Sequence, residues 1–271
     1  MNTTIAEQNR LAWNLASRQC SDSSIPVERE EVDDARKGDW TVRLTPKKPV
    51  PRHWFPELVG ARVLCLAAGG GQQAPILAAS GARVISLDLS EEQLEKDRMV
   101  AEENGLVIET LMGDMTNLEG FESGGFDLVF NPTSSLFIPD VVPLWEACSR
   151  ILKPGGVLLA GSMNPSFFLF DHEEGQRRGR LEVKFPLPYS DLKSLSREQR
   201  KEAQAHRKTL EFGHTLEDLI GGQIRSGFQI TGFYEDDWYD SATLLNVFSP
   251  TSFATRAIKA DGLRRVRDAE G

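Results

Sequence analysis

Histidine, cysteine and tyrosine are scarce in this chain of 271 residues, which holds four His, three Cys and three Tyr. Cys20, Cys65 and Cys148 do not form the close pairs of a zinc or redox motif, so no metal site is expected. Their odd number, with no leader ahead of them, predicts a reducing, cytoplasmic setting. The opening MNTTIAEQNRLAW has neither the basic start nor the apolar core of a secretory signal. No apolar run approaches the ~20 residues of a membrane span, so no membrane partner is expected. Positive charge is also in deficit: the formal net charge of −9 offers no field for a polyanion, which argues against nucleic acid as a partner. Internal repeats and low-complexity tracts are missing too. A hydrophobic content of 40% is ordinary for one large α/β domain with additions.

The richest stretch runs from Arg62 to Asp88, RVLCLAAGGGQQAPILAASGARVISLD. Arg62 to Leu66 read as a short buried parallel strand that stops at glycines. Gln72 to Ser80 read as a helix, with Pro75 in its first turn and Gly81 as its stop. A second buried strand, Arg83 to Leu87, ends on Asp88. Such a unit captures anions and ribose: glycines let backbone approach a ligand, and the acid after the second strand accepts hydroxyl protons. A dinucleotide site wants glycine at the first, third and sixth places of the turn. Here those places are Ala67, Gly69 and Gln72, so the fingerprint fails at two of three.

Strand and helix signals continue in alternation. Ser90 and Gln93 form a capping-box pair for a helix to Asn104, closed by Gly105. Strands are predicted at 106–112 and 126–130, a helix at 142–152 and a strand at 157–161. About fifty residues, 165–212, then form an insertion: a hairpin turning near Gly175 with a strand at 181–185, followed by a charged helix over 197–209. A helix over 215–227, a strand at 228–233 and a last, antiparallel strand at 252–259 complete the domain, and the tail from Gly262 is expected to fray. Upstream, Thr4 and Glu7 start a helix whose face is expected to carry Ile5, Leu11, Ala12 and Leu15, and a second helix is predicted at 27–37. The proline-rich run up to Pro56 carries Trp40, His53, Trp54 and Phe55, either as a lid over the site or as a strap whose aromatics complete the core. The expected fold is α/β, a Rossmann-like sheet of seven mostly parallel strands with helices on both faces. Residues 1–57 form an N-terminal cap, and 58–271 form the main domain with its inserted hairpin and helix.

Cys65-Leu66-Ala67-Ala68-Gly69-Gly70-Gly71 resembles the first motif of class I S-adenosylmethionine-dependent methyltransferases, with Cys65 and Ala67 standing where the family has an acid and its first glycine. RILKPGGVLLAGSMNP is similar to the family's last motif before the acceptor region. KPVPRHWFP and FGHTLEDLIGGQ resemble a bacterial UbiE-like group of methyltransferases. The resemblance implies S-adenosylmethionine as cofactor, held by Ala67, Ala68, Gly69, Gly71, Gln72, Gln73, Asp88, Leu89, Gly113, Asp114, Met115 and Asn131. In it Asp88 would take the ribose and Asp114 the adenine amino group. Asn131, in Asn131-Pro132, either meets an amine acceptor or satisfies its own loop. The implied reaction is direct methyl transfer to a small-molecule acceptor by a monomer or homodimer. The alternative is a non-catalytic cofactor-binding module, kept open by Cys65 and Ala67. If a base is needed, His214 is the first candidate, followed by His172, Tyr189 and the acids after Tyr234. Glu235, Asp236 and Asp237 would either hold a cationic acceptor or form a solvated loop.

Overall fold

The structure is a computed structural model that describes residues 4–21, 24–239 and 242–260; the tail expected to fray lies outside them. Strands β1 (Arg62–Leu66), β2 (Arg83–Asp88), β3 (Ile108–Met112), β4 (Phe126–Asn131) and β5 (Leu152–Met163) are followed by two short strands, β6 (Tyr189–Ser190) and β7 (Phe212–Gly213). The long strands β8 (Phe228–Asp236) and β9 (Ser252–Lys259) come last. The seven-stranded sheet has the order β3-β2-β1-β4-β5-β9-β8. β1 to β5 pair in parallel, and β9 runs antiparallel to both β5 and β8. The strand order reverses between β1 and β4, which opens a crevice at the carboxyl ends of these strands.

Alternation along β1 builds the two halves of the core. Val63 and Cys65 face a cluster with Trp40, Trp54, Ile76 and Leu77, while Leu64 and Leu66 face one with Leu144, Trp145, Ile151 and Phe253. Helices α1 (Ile5–Arg18), α2 (Arg29–Arg36), α3 (Gln73–Ala79), α4 (Glu91–Asn104) and α5 (Val142–Ile151) cover the sheet and its ligand edge. Their ends follow local chemistry: Thr4 accepts from Glu7 N–H, Ser90 accepts from Gln93 N–H, and Gly105 closes α4 in the left-handed conformation.

Expectations change most in α1 and in the insertion. The buried positions of α1 are Gln8, Asn9, Ala12 and Ser17, whereas Leu11 and Leu15 are only half-buried. The helix lies across main-chain carbonyls of the loop before β7 and of the first turn of α4, so its inner face carries hydrogen-bonding groups: Gln8 Nε2 donates to Lys208 O at 3.1 Å, and Ser17 Oγ donates to Glu92 O at 3.0 Å. The insertion holds a helix where a hairpin turn was expected. That helix, α6 (His172–Arg178), is capped by Asp171, has acids in its first turn and arginines in its last, and ends at left-handed Gly179. Only one bridge, Phe170 to Val183, stands in for the expected hairpin. Helices α7 (Asp191–Ser194) and α8 (Arg197–Ala205) lie between β6 and β7. α8 ends before Arg207, whose φ is +52°.

The proline-rich segment is a strap, and its aromatics complete the core. Trp40 packs edge-on against Phe55 at 5.0 Å, and Trp54 packs on Tyr234 at 5.2 Å. His53 is exposed. Asp236, at the end of β8, fastens the strap: its Oδ2 accepts from Thr45 Oγ1 and from the N–H groups of Lys47 and Lys48, each at 2.8 Å. This carboxylate is buried and committed, so it is neither solvated nor open to a cationic acceptor, while Glu235 is exposed. Against the opposing pull of burial, these hydrogen bonds hold the Asp236 carboxyl below its usual range. Its contribution to stability is therefore present above about pH 4 and is lost as the pH falls through the depressed value. Asp236→Asn is expected to cost about 2 kcal/mol, a fall of roughly 4–8 °C in thermal melting at neutral pH. The difference from the parent should shrink in acid.

Candidate active site

A cleft of about 450 Å³ opens at the carboxyl edge of β1, β2 and β4, the size of an ordinary small-ligand site. Ala67, Ala68, Gly69, Gln72, Gln73, Asp88, Leu89, Gly113, Asp114 and Met115 all line it. The structure thus brings ten of the twelve sequence-selected cofactor positions to one surface. Gly71 and Asn131 lie just behind it.

The glycine turn is held N–H by N–H. Gly69 N–H donates to Asp88 Oδ2 at 3.2 Å, Gly70 N–H to Gln93 O at 3.0 Å, and Gly71 N–H to Asp97 Oδ1 at 2.7 Å. Three successive amides are therefore spent on β2 and α4, and the turn is not the anion nest that a pyrophosphate requires. This geometry removes the dinucleotide reading on physical grounds. Gly69 has to be glycine: an added Cβ would stand 2.9 Å from Gln93 Cβ and 3.2 Å from Asp88 Oδ2. Ala67, in the position of the missing glycine, adopts φ +47°, a left-handed conformation that costs a residue with a Cβ about 1–2 kcal/mol.

Two buried acids flank this turn. Asp88 accepts from Ser90 N–H at 2.8 Å as well as from Gly69, and burial pushes its pKa up to about 6 against those hydrogen bonds. Asp97 also accepts from Ser86 Oγ at 2.6 Å, and burial raises it to about 7. Cys65 pairs in register with Ser86, and its thiol is pushed far up by burial, so it is an inert core residue. Asp114 turns its Oδ1 to Thr116, accepting from the N–H at 2.9 Å and from the hydroxyl at 2.8 Å.

The expected catalytic residues do not line the cleft. Asn131 is fully buried; its Nδ2 donates to Ser134 Oγ at 2.8 Å and Leu66 O at 3.2 Å, and its Oδ1 has no partner. His214 donates from Nε2 to Ser135 O at 2.9 Å, and burial lowers its pKa. It braces the wall segment that presents Ser134, Phe137 and Ile138 to the cleft. Tyr189 donates to Asp191 Oδ1 at 2.6 Å and is packed by Phe168 and Phe185; burial and Asp191 push its ionisation far up. His172 is likewise committed, to Phe167 O and Thr243 Oγ1, both at 2.7 Å.

Sequence reasoning missed the rest of the lining. Thr41, Arg43, Leu44, Thr45 and Pro46 of the strap border the cleft, together with Ile25, Pro26 and Val27 and with Asn9 and Trp13 of α1. The strap is therefore a wall as well as a core element, but it offers the cleft its residues 41–46, and Trp40, Trp54 and Phe55 face inward. The aromatics that do line the cleft are Trp13, Phe137, Trp238 and Tyr239. Gln93 also lines it; its only sequence signal was its place three residues after a helix cap. Among the described residues no cluster of His, Cys, Asp or Glu is arranged to hold a metal ion, and no helix is long and apolar enough to cross a membrane.

Sheet order, an inward-turned glycine loop and an acid ending β2 define a nucleoside-binding Rossmann-like domain of the methyltransferase type. Residues 64–160 match the family described as Methyltransferase domain. Over 259 residues the chain is 44% identical to the uncharacterized methyltransferase YbaJ of Bacillus subtilis (strain 168), covering 96% of this chain and 100% of that one. The chain belongs to the class I S-adenosylmethionine-dependent methyltransferases, and S-adenosylmethionine is its cofactor. A more distant relative, the ubiquinone biosynthesis O-methyltransferase of Xanthomonas euvesicatoria pv. vesicatoria (strain 85-10), is 33% identical over 138 residues, which cover 50% of this chain and 58% of the relative. Among solved structures, an S-adenosylmethionine-dependent methyltransferase from Mesorhizobium loti shares the fold, with a TM-score of 0.60 and 22% identity over 76% of this chain and 94% of that one.

Proposed function

We propose that this enzyme methylates a small, largely apolar acceptor in the cytoplasm, as a monomer or homodimer. The observation that carries this reading is the border of the cleft. α1, the strap and the Trp238–Tyr239 segment converge on one cavity of about 450 Å³, with four aromatic side chains in its lining. Such a site suits a slender molecule with apolar faces more than the surface of a folded polymer.

S-adenosylmethionine supplies a methyl group already activated on a sulfonium, so the protein's tasks are to align the acceptor with it and to exclude water. Asp88 accepts the ribose hydroxyl protons, and Asp114 takes the adenine amino group. Leu87, Leu89 and Met115 supply apolar surface in the same lining. Asn131 stands behind the lining, where its Nδ2 fixes Ser134. We assign His214 and Tyr189 to positioning: His214 holds Ser135 from behind the wall, and Tyr189 holds β6 to α7 through Asp191.

The ionisable side chains in the described lining are Glu31, Arg43, Asp88, Asp114 and Tyr239. With two of these at the cofactor positions, the site favours acceptors that are nucleophilic without a base, such as amines and thiolates. The test is a two-stage titration. S-adenosylmethionine and S-adenosylhomocysteine should both bind in calorimetry, and S-adenosylhomocysteine should then accumulate with an amine or thiol more readily than with a phenol. Cofactor binding without turnover of any small acceptor would sink the small-molecule reading.

A further inference from the structure

We infer that Gln93 is a ribose contact of the bound cofactor, acting beside Asp88. Gln93 sits in the first turn of α4, only 2% exposed, and is part of the cleft lining. Its backbone is fixed at both ends: the N–H lies 3.2 Å from Ser90 Oγ, and the carbonyl accepts from Gly70 N–H at 3.0 Å. The side-chain amide is fixed at one end only. Nε2 donates to Ser24 Oγ at 2.6 Å, whereas Oε1 is buried with no hydrogen-bond partner.

A buried amide oxygen without a donor loses its hydration for nothing in return, a cost of about 1–3 kcal/mol. A hydrophobic side chain of similar size would avoid that cost, so the glutamine is explained by a partner that arrives with the ligand. The partner must be a donor, because Oε1 only accepts. Gln93 and Asp88 flank the same glycine: Gln93 Cβ and Asp88 Oδ2 stand 2.9 and 3.2 Å from the single point where a Gly69 Cβ would be. A ribose presents two neighbouring hydroxyl donors, and a carboxylate and an amide oxygen on either side of a side-chain-free glycine are suited to receive them. Ser24, which is fully buried, orients the amide from the N-terminal segment, and Ser24 O in turn accepts from Lys96 Nζ. Residues far from the glycine turn in sequence thereby set the direction of this contact.

This inference rests on the reading of Asp88 as the ribose acceptor, and the experiment separates the two. The full chain, Gln93→Leu and Gln93→Met are titrated with S-adenosylhomocysteine and with its 2′-deoxy and 3′-deoxy analogues, and the melting of each ligand-free protein is recorded. Both substitutions are expected to weaken S-adenosylhomocysteine binding by about three- to tenfold, the worth of one neutral hydrogen bond. Against the analogue that lacks the partner hydroxyl they should have no effect, and ligand-free melting should change little, because removal of the unsatisfied Oε1 offsets the lost Nε2–Ser24 hydrogen bond. Unchanged affinity, or an equal loss for all three ligands, would overturn the contact. If wild type binds S-adenosylhomocysteine and both analogues equally, the ribose reading of Asp88 fails and this inference fails with it.

Discussion

Asp88→Ala is expected to weaken S-adenosylmethionine binding by about a hundredfold or more while leaving the protein folded. Two hydroxyl protons given to an ionised carboxylate are worth about 1.5–3 kcal/mol each, and about 2.7 kcal/mol already makes a hundredfold change. The fold survives because a buried carboxylate is itself costly, as its pKa of about 6 records. The same value sets opposite signs for binding and stability. As pH falls through about 6, Asp88 takes up a proton and loses strength as an acceptor, so cofactor affinity declines. An acid whose folded pKa is raised contributes most to stability below its unfolded value of about 4, and that contribution is lost as pH rises through about 6. Asp97, raised to about 7 by burial, adds to stability with the same sign. Titration calorimetry and thermal melting at about pH 5 and about pH 8 check both signs. Equal affinity of wild type and Asp88→Ala at the higher pH would place the ribose elsewhere.

Gly161→Ala should be the most damaging single change away from the cofactor residues. An added Cβ on β5 would stand 2.1 Å from Leu44 O, 2.8 Å from Leu44 C and 3.0 Å from Thr133 N. All three atoms are backbone, so no side chain can swing aside. The Leu44 carbonyl accepts from Thr133 N–H at 2.9 Å and Thr133 Oγ1 at 2.8 Å, and this is how the strap seats on the sheet edge. Overpacking here is expected to cost about 3 kcal/mol, roughly 6–12 °C in melting temperature. Cofactor affinity should fall as well, because Leu44, Thr45 and Pro46 border the cleft. A variant that melts with the parent and binds as tightly would mean that the strap does not depend on this seat.

What was legible in the sequence was local. β1, β2 and α4 were found because a buried strand, a glycine and a helix cap each leave their signal within a few residues: Arg62–Leu66, Arg83–Asp88, and Ser90 to Gly105. The antiparallel β9 was found with its bounds, Ser252–Lys259. The buried face of α1 was missed because apolar spacing cannot tell that the surface beneath the helix presents main-chain carbonyls, to which Gln8 and Asn9 donate and Leu11 could not. In the insertion, Asp171, Glu174 and Gly179 carried ordinary helix signals, which were outweighed by reading Gly175 as a turn. Ten of the lining positions came from the glycine turn and from the residues at the ends of β2 and β3. The aromatic lining did not, because Trp13, Phe137 and Trp238 meet only through contacts between distant segments. His214 and Tyr189 were selected by residue type and by their place along the chain, neither of which says whether a ring faces a cavity or a carbonyl.

Asn9 donates from Nδ2 to Phe137 O at 3.0 Å and to Leu210 O at 3.2 Å, and its Oδ1 accepts from Leu210 N–H at 2.7 Å. These last two bonds join residues 201 positions apart. During synthesis, then, α1 has to wait for Leu210, 201 positions further along, before it can settle. The glycine turn and β1 to β5 can form early from nearer partners, whereas the wall that α1 provides arrives late. A nascent chain arrested before Leu210 would carry the nucleoside-binding turn with one side of its chamber still open.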